Sequence, residues 1–216
     1  MNWIVPLKKP LSRVHELLIL DSSFNPPTIA HFAMLSRAKR LYPNADEVLL
    51  ISSRNADKGA NDIQARIQVL EKFNLPLASC STPLFYQKAS LFPEGVKCIF
   101  LLGYDTVVRF FDSKYYNDVN VVMQNFFKNA KIVCFERHLN KEVGEIWNRP
   151  EMKSALDWKS HIDVIDDFDM NISSTMARSM LKEYYSSQND QEKLNDLEKI
   201  IPQPALQTIL ESRLYS

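Results

Sequence analysis

The sequence predicts an α/β fold: a doubly wound parallel sheet with helices on both faces. Three observations carry that reading. The apolar runs "LLIL", "VLLI", "CIFLL" and "IVCF" are short and continuous, with no alternating polar face, so each strand must be covered on both sides. Helix-like stretches lie between these runs, the pattern of right-handed βαβ units. The 216 residues are 45% hydrophobic and 24% charged, ordinary globular usage that suits one sizeable core.

Each element follows in order. Residues 16–21, "ELLILD", form the first strand, and residues 28–42 a helix stopped by Pro43. Residues 47–53, "EVLLISS", are the second strand. "NDIQARIQVLEKF" is a helix with Ile63, Ile67 and Leu70 on one face. "VKCIFLLG" is a buried strand, and Asp105 opens the helix after it. "AKIVCFE" is another buried strand. "HIDVID" is shorter and more polar, so it belongs nearer an edge. Residues 173–185 are helical, a polar stretch "SSQNDQEKLNDLEK" follows, and "PALQTILESRL" is the final helix. The arrangement is Rossmann-like. In such sheets ligands sit beyond the carboxyl ends of the strands, so functional residues are sought just after each strand.

The chain reads as a single domain over residues 1–216, with residues 1–15 as an N-terminal extension and 186–216 as a C-terminal helical segment. Lysine plus arginine balance aspartate plus glutamate at 26 each, which gives no support for nucleic acid or a polybasic membrane contact. No stretch approaches the ~20 apolar residues of a membrane span, and "MNWIVPLKKPLSRVHE" lacks the apolar core of a signal peptide. The expected compartment is the cytoplasm, with the nucleus also open to it. Cys80, Cys98 and Cys134 have neither metal-ligand nor redox spacing, and read as buried reduced thiols.

The turn "DSSFNPPT" after the first strand is stiffened by Pro26 and Pro27, which also remove two backbone donors. Thr28 can cap the next helix, and His31, three residues on, shares its face. A helix start offers free N–H groups and the positive end of its dipole, which suits phosphate. A plain capping histidine beside a tight turn would look the same. With 4 glycines in the chain and neither glycine-rich phosphate motif present, phosphate must be held by other means. Lys58 lies in the loop after the second strand. Gly103 ends a buried strand where backbone can approach a ligand, and Asp105 could accept from ribose hydroxyls or be a simple helix-start charge. Arg137 follows the strand "KIVCFE". In "NISSTMARSMLKE", Ser173, Ser174 and Thr175 signal a helix start, and Arg178 shares a face with Ser174 and Thr175. That is either a phosphate site or ordinary capping beside a surface arginine.

Together these segments carry a resemblance. "SSFNPPTIAH" resembles the G-[GS]-F-[ND]-P-x-[HT]-x-x-H signature of the nucleotidyltransferase superfamily. "ISSTMAR" resembles the I-S-S-T-x-x-R motif of its mononucleotide adenylyltransferases. "LLGYDTVVRF", "KIVCFER", "DKGANDIQARIQVL" and "IPQPALQTILES" are similar to further segments of that family, in the same order from about residue 17 to the C-terminus. The chain thus resembles the nicotinamide/nicotinate mononucleotide adenylyltransferases, of eukaryotic type by its Thr28 in place of a first histidine.

The resemblance implies the nucleotidyltransferase fold and transfer of AMP from ATP, with Mg2+, to a pyridine mononucleotide. It implies catalytic roles for His31 and Arg178. It implies ATP contacts for Phe24, Thr28, His31, Ser174, Thr175 and Arg178. It implies mononucleotide or dinucleotide contacts for Ser22, Ser23, Lys58, Gly103, Asp105, Tyr115, Arg137 and Asn171. No dedicated carboxylate cluster for a metal is expected, nor a nucleic-acid or membrane partner, and a homo-oligomer is left open.

Two departures stand out. Ser22 occupies the place of the family's glycine, and the tryptophan that stacks on the pyridine ring has no counterpart; "FFDSKYYND" puts Phe111, Tyr115 and Tyr116 in that region. They motivate a second class of function, an ATP-binding or weakly ATP-hydrolysing regulatory or quality-control protein. A third is nucleotidyl transfer to another phosphorylated acceptor.

Overall fold

The structure, a computed structural model, describes residues 1–52, 63–136, 145–187 and 190–216. A seven-stranded sheet forms its centre, in the order β1-β4-β3-β2-β5-β6-β7. The strands are β1 (Asn2–Val5), β2 (Glu16–Asp21), β3 (Asp46–Ser52), β4 (Leu77–Cys80), β5 (Lys97–Gly103), β6 (Ala130–Phe135) and β7 (Ile162–Ile165). All pairings are parallel except β1 on β4, which is antiparallel at the edge.

The continuous apolar runs have the reason the sequence suggests. Successive side chains of a strand point to opposite faces, and both faces are covered here. Leu17, Ile19, Val48, Leu50, Phe100, Ile132 and Cys134 face one core. Their neighbours Leu18, Leu20, Leu49, Ile51, Ile99, Leu101 and Val133 face the other. Helix α1 (Ile29–Leu41) covers the second face with Leu35 and Ala38. Helices α3 (Phe85–Ala89), α4 (Tyr104–Phe110) and α5 (Val119–Asn129) cover the first, through an aromatic group that includes Phe85, Phe100, Phe110 and Phe126. A third cluster joins Val69 of α2 (Ile63–Glu71) to α6 (Ser174–Ser186), α7 (Gln191–Glu198) and α8 (Gln203–Glu211).

Some elements lie outside the sequence expectations. β1 falls in the N-terminal extension and β4 inside a segment left unassigned. Both are four residues long, and antiparallel backbone pairing at an edge leaves little periodicity to read. Helix α5 is rich in β-branched valines, which lower helix propensity. It starts where the Asp118 side chain accepts from the Val121 N–H at 3.1 Å. Helix α7 occupies the polar stretch, with Asp190 accepting from the Glu192 N–H at 2.8 Å and Leu197 fully buried.

Candidate active site

β2 and β5 are adjacent, and the chain winds outward from them in opposite directions, through β3 and β4 on one side and β6 and β7 on the other. This is the topological switch point, where a crevice opens beyond the carboxyl ends of the strands. Leu20 of β2 pairs with Leu101 of β5. Ser22 and Gly103 each lie two residues further on, so they flank the crevice. Gly103 has extended backbone at φ −71°, and a Cβ added there would meet no atom within 4 Å. The open space, not backbone conformation, is what that glycine leaves. Asp105 is exposed in the first turn of α4.

The loop from Ser22 to Thr28 is held tightly. Phe24 has φ 44° and its ring is fully buried, 5.2 Å from the His31 ring centroid. A left-handed conformation costs a non-glycine residue roughly 1–3 kcal/mol and persists only where surroundings over-determine it. Phe24 as a whole is 0% exposed, so it anchors the loop from beneath and, contrary to the sequence expectation, presents no surface of its own to a nucleotide. The Asn25–Pro26 peptide is cis. Three loop carbonyls accept from distant side chains. Arg66 Nη1 donates to Ser23 O at 2.7 Å, Arg178 Nη1 to Asn25 O at 2.6 Å, and Ser174 Oγ to Pro26 O at 2.8 Å.

His31 sits within this frame, half-buried. The Thr28 backbone N–H donates to His31 Nδ1 at 3.1 Å, and Thr28 Oγ1 lies 2.8 Å from the same atom. A backbone N–H can only donate, so Nδ1 is unprotonated and the neutral ring carries its hydrogen on Nε2. Nε2–H then donates to Ser22 Oγ at 2.9 Å. Thr28 is 0% exposed, so it can act on a nucleotide only by orienting the imidazole.

The start of α1 offers less to an anion than its sequence suggests. The Ile29 N–H donates to Ile200 O at 2.9 Å and the His31 N–H to Thr28 O at 3.0 Å. The start of α6 is more open. Ser173 Oγ accepts from the Met176 N–H at 3.1 Å, while the N–H groups of Ser174 and Thr175 have no acceptor among the described residues. Arg178 lies beside them, with Nη2 donating to Thr175 Oγ1 at 3.2 Å and Nη1 shared between Asn25 O and Ser174 O. Part of the guanidinium is thus committed to the loop.

Two buried ion pairs line the same edge. Asp21, the last residue of β2, pairs with Lys88 of α3, with side-chain exposures of 4% and 6%. Glu136, just past β6, pairs with Arg149, whose guanidinium also lies 4.6 Å from the Tyr104 ring centroid. Tyr104 donates to Glu151 at 2.9 Å, and burial first of all pushes its phenol up to about 12. Asp21 and Glu136 thus each have their own cation. Among the described residues no three His, Cys, Asp or Glu side chains converge as a metal cage.

The structure joins Ser22, Phe24, Thr28, His31, Ser174, Thr175 and Arg178 into one contact network, and Ser23 enters it through its carbonyl. Asn171 is exposed just before α6. Of the aromatic candidates, Phe111 is a correction: it is 2% exposed and packs on Phe110 and Phe127 in the core. Tyr116 is tied down by its O–H to Phe110 O at 2.7 Å. Tyr115 is half-buried with Lys114 4.7 Å from its ring centroid. Lys58 and Arg137 lie outside the described residues. Sequence reasoning missed Arg66, Lys88, Tyr104 and Arg149. Arg66 had a legible signal: with Ile63, Ile67 and Leu70 it falls on one apolar stripe, where a solvated arginine does not belong. The other three had none.

Comparison with known proteins agrees with this architecture. The sequence pattern of the cytidylyltransferase-like family matches residues 19–180. A Schizosaccharomyces pombe protein, provisionally named a nicotinamide mononucleotide adenylyltransferase, is 33% identical over 138 residues. That match covers 57% of this chain and 54% of the relative, so the chain spans about half the length of the curated relative it matches. Plasmodium falciparum nicotinic acid mononucleotide adenylyltransferase complexed with NaAD superposes with a TM-score of 0.63 at 20% identity, over 93% of this chain and 97% of that one. The same enzyme complexed with APC gives 0.61 at 19% identity, with the same coverage. At such identities these two likenesses speak to the fold.

Proposed function

We propose that this chain, which belongs to the cytidylyltransferase-like family, transfers AMP from ATP to nicotinamide or nicotinate mononucleotide, giving NAD or its deamido form and pyrophosphate. One observation carries the reading. Asn25 and Arg178, 153 positions apart, meet in a 2.6 Å hydrogen bond at the switch-point crevice. That bond unites the two segments that bear the phosphate-binding residue types. The activities for which the relatives are named supply the acceptor class.

In this reaction an oxygen of the mononucleotide phosphate attacks the α-phosphorus of ATP. The bond from that phosphorus to the bridging oxygen breaks, and pyrophosphate leaves with the charge. The attacking phosphate is largely ionised at neutral pH, since its second pKa is about 6, so no strong general base is required. The protein aligns two phosphates and offsets charge on the leaving group. His31 is suited to this as a neutral donor through Nε2–H, not as an acid, because Nδ1 is occupied by Thr28. The Ser174 and Thr175 N–H groups and the remaining N–H groups of Arg178 meet the triphosphate from the other side. Gly103 leaves room for the nucleotide, Asp105 accepts from ribose hydroxyls, and Lys58 and Arg137 supply cations for the acceptor half. Magnesium enters as part of the MgATP substrate, held by phosphate oxygens and water.

The test is to incubate the purified chain with MgATP and each mononucleotide and to identify products by mass. ATP binding without dinucleotide at any acceptor concentration would refute transfer. The Ser22–His31 hydrogen bond favours one second reading, an ATP-binding or weakly hydrolysing protein, because it engages the donor that transfer needs.

A further inference from the structure

Ser22 stands where the resembling family has glycine, and its hydroxyl is the acceptor for the one N–H of the His31 ring. Its own surroundings fix it there. The Ser22 N–H donates to Leu50 O at 3.2 Å, extending the β2–β3 ladder by one residue. Its Oγ also accepts weakly from the Phe24 N–H at 3.4 Å. On the other side, Thr28 holds Nδ1 and prevents the ring from turning its second nitrogen outward. A phosphate oxygen that is to accept from Nε2–H must therefore displace Ser22 Oγ.

We infer that Ser22 is a positioning residue that competes with the triphosphate for His31. In the empty site it keeps Nε2–H satisfied and aimed at the crevice, and on binding it yields that donor. A glycine there would remove this covalently held acceptor from Nε2–H. Ser22 thus sets ATP affinity in this chain through His31, without a contact of its own to the nucleotide. The inference rests on the adenylyl-transfer reading for the identity of the ligand.

The test measures binding of a non-hydrolysable ATP analogue with magnesium by calorimetry, for the wild-type chain, Ser22→Ala, Ser22→Gly and each of these combined with His31→Ala. Releasing one neutral hydrogen bond is worth about three- to tenfold in affinity. Both single variants should bind the analogue tighter by that factor, and the gain should vanish in the His31→Ala background, as coupling through His31 requires. Nitrogen-15 spectra of the ring should report the Nε2–H tautomer, with its proton exchanging faster in Ser22→Ala. Weaker binding by Ser22→Ala would mean that its hydroxyl contacts the nucleotide and would overturn the inference. A gain that survives His31→Ala would overturn it also. Wild-type protein that binds no analogue would sink both this inference and the adenylyl-transfer reading, whereas binding unchanged by either substitution would sink this inference alone.

Discussion

Arg178→Ala should separate two duties that the structure gives one side chain. The guanidinium holds Asn25 O at 2.6 Å and Ser174 O and Thr175 Oγ1 at 3.2 Å. The first of these is a short, charge-assisted bond to the carbonyl of a loop that has two prolines and little internal bonding. A hydrogen bond to a charged group contributes about 1.5–3 kcal/mol, and for a chain of this size each kcal/mol moves Tm by roughly 2–4 °C. Arg178→Ala should therefore melt roughly 3–12 °C below wild type and lose adenylyl transfer. Arg178→Lys can keep the Asn25 contact with a single ammonium but cannot span to Thr175, so its melting temperature should recover most of that loss. Its kcat/KM for ATP should stay at least tenfold down, on the order of the 1.4 kcal/mol that a lost fork implies. Thermal melts and steady-state kinetics with ATP varied decide the matter. An unshifted melt in Arg178→Ala would refute the latch, and full activity in a folded Arg178→Lys would refute the fork.

His31→Ala should lower turnover by about a hundredfold or more, as for loss of one preorganised donor. It should also cost about 1–3 kcal/mol in urea unfolding, because the Thr28 N–H loses its acceptor; wild-type turnover would sink the role. Asp21→Asn should leave Lys88 charged and unpaired at 6% side-chain exposure, a loss of about 3–5 kcal/mol in urea melts that Lys88→Met in the same chain largely restores. A double variant no better than the single would show that the pair carries no such penalty. Stability should fall in alkali. Burial pushes the Cys98 and Cys134 thiols and the Tyr215 phenol up to about 12. Folded-state values above the unfolded ones mean that this stability is fully present below about pH 9 and is lost as pH rises towards about 12. Melts from pH 7 to 11 that stay flat throughout would contradict it.

What the sequence made legible follows from where burial leaves a pattern. β2 runs over residues 16–21 both in the sequence reading and in the structure, because a strand covered on both faces leaves an unbroken apolar run. β3, β5 and β6 are legible for the same reason. β1 is not, because an edge strand is specified by backbone bonds to its neighbour, and β4, which lies between β1 and β3, is too short at four residues for "LASC" to show a run. α7 hid for the opposite cause: Leu197 is fully buried but most of its other residues are exposed, so a narrow stripe holds a helix that reads as a linker.

The site divides along a similar line. Residue types that do chemistry announce themselves beside strand ends and helix starts, which is how His31, Ser174 and Arg178 were found. Their present partners do not, because those partners are mostly backbone carbonyls and a serine hydroxyl brought close by the fold. A loop with prolines at 26 and 27 loses two N–H groups, and its carbonyls must find donors elsewhere. Arg66, Ser174 and Arg178 supply them from two other helices. The same groups that could neutralise a triphosphate therefore shape the loop that aims His31. Ser22 adds the last constraint by engaging the aimed nitrogen before any ligand arrives. On this reasoning the departure from glycine at position 22 matters less for the space its side chain fills than for the hydrogen bond it makes. That is why the hydroxyl-free variants Ser22→Ala and Ser22→Gly, which differ in volume, should behave alike.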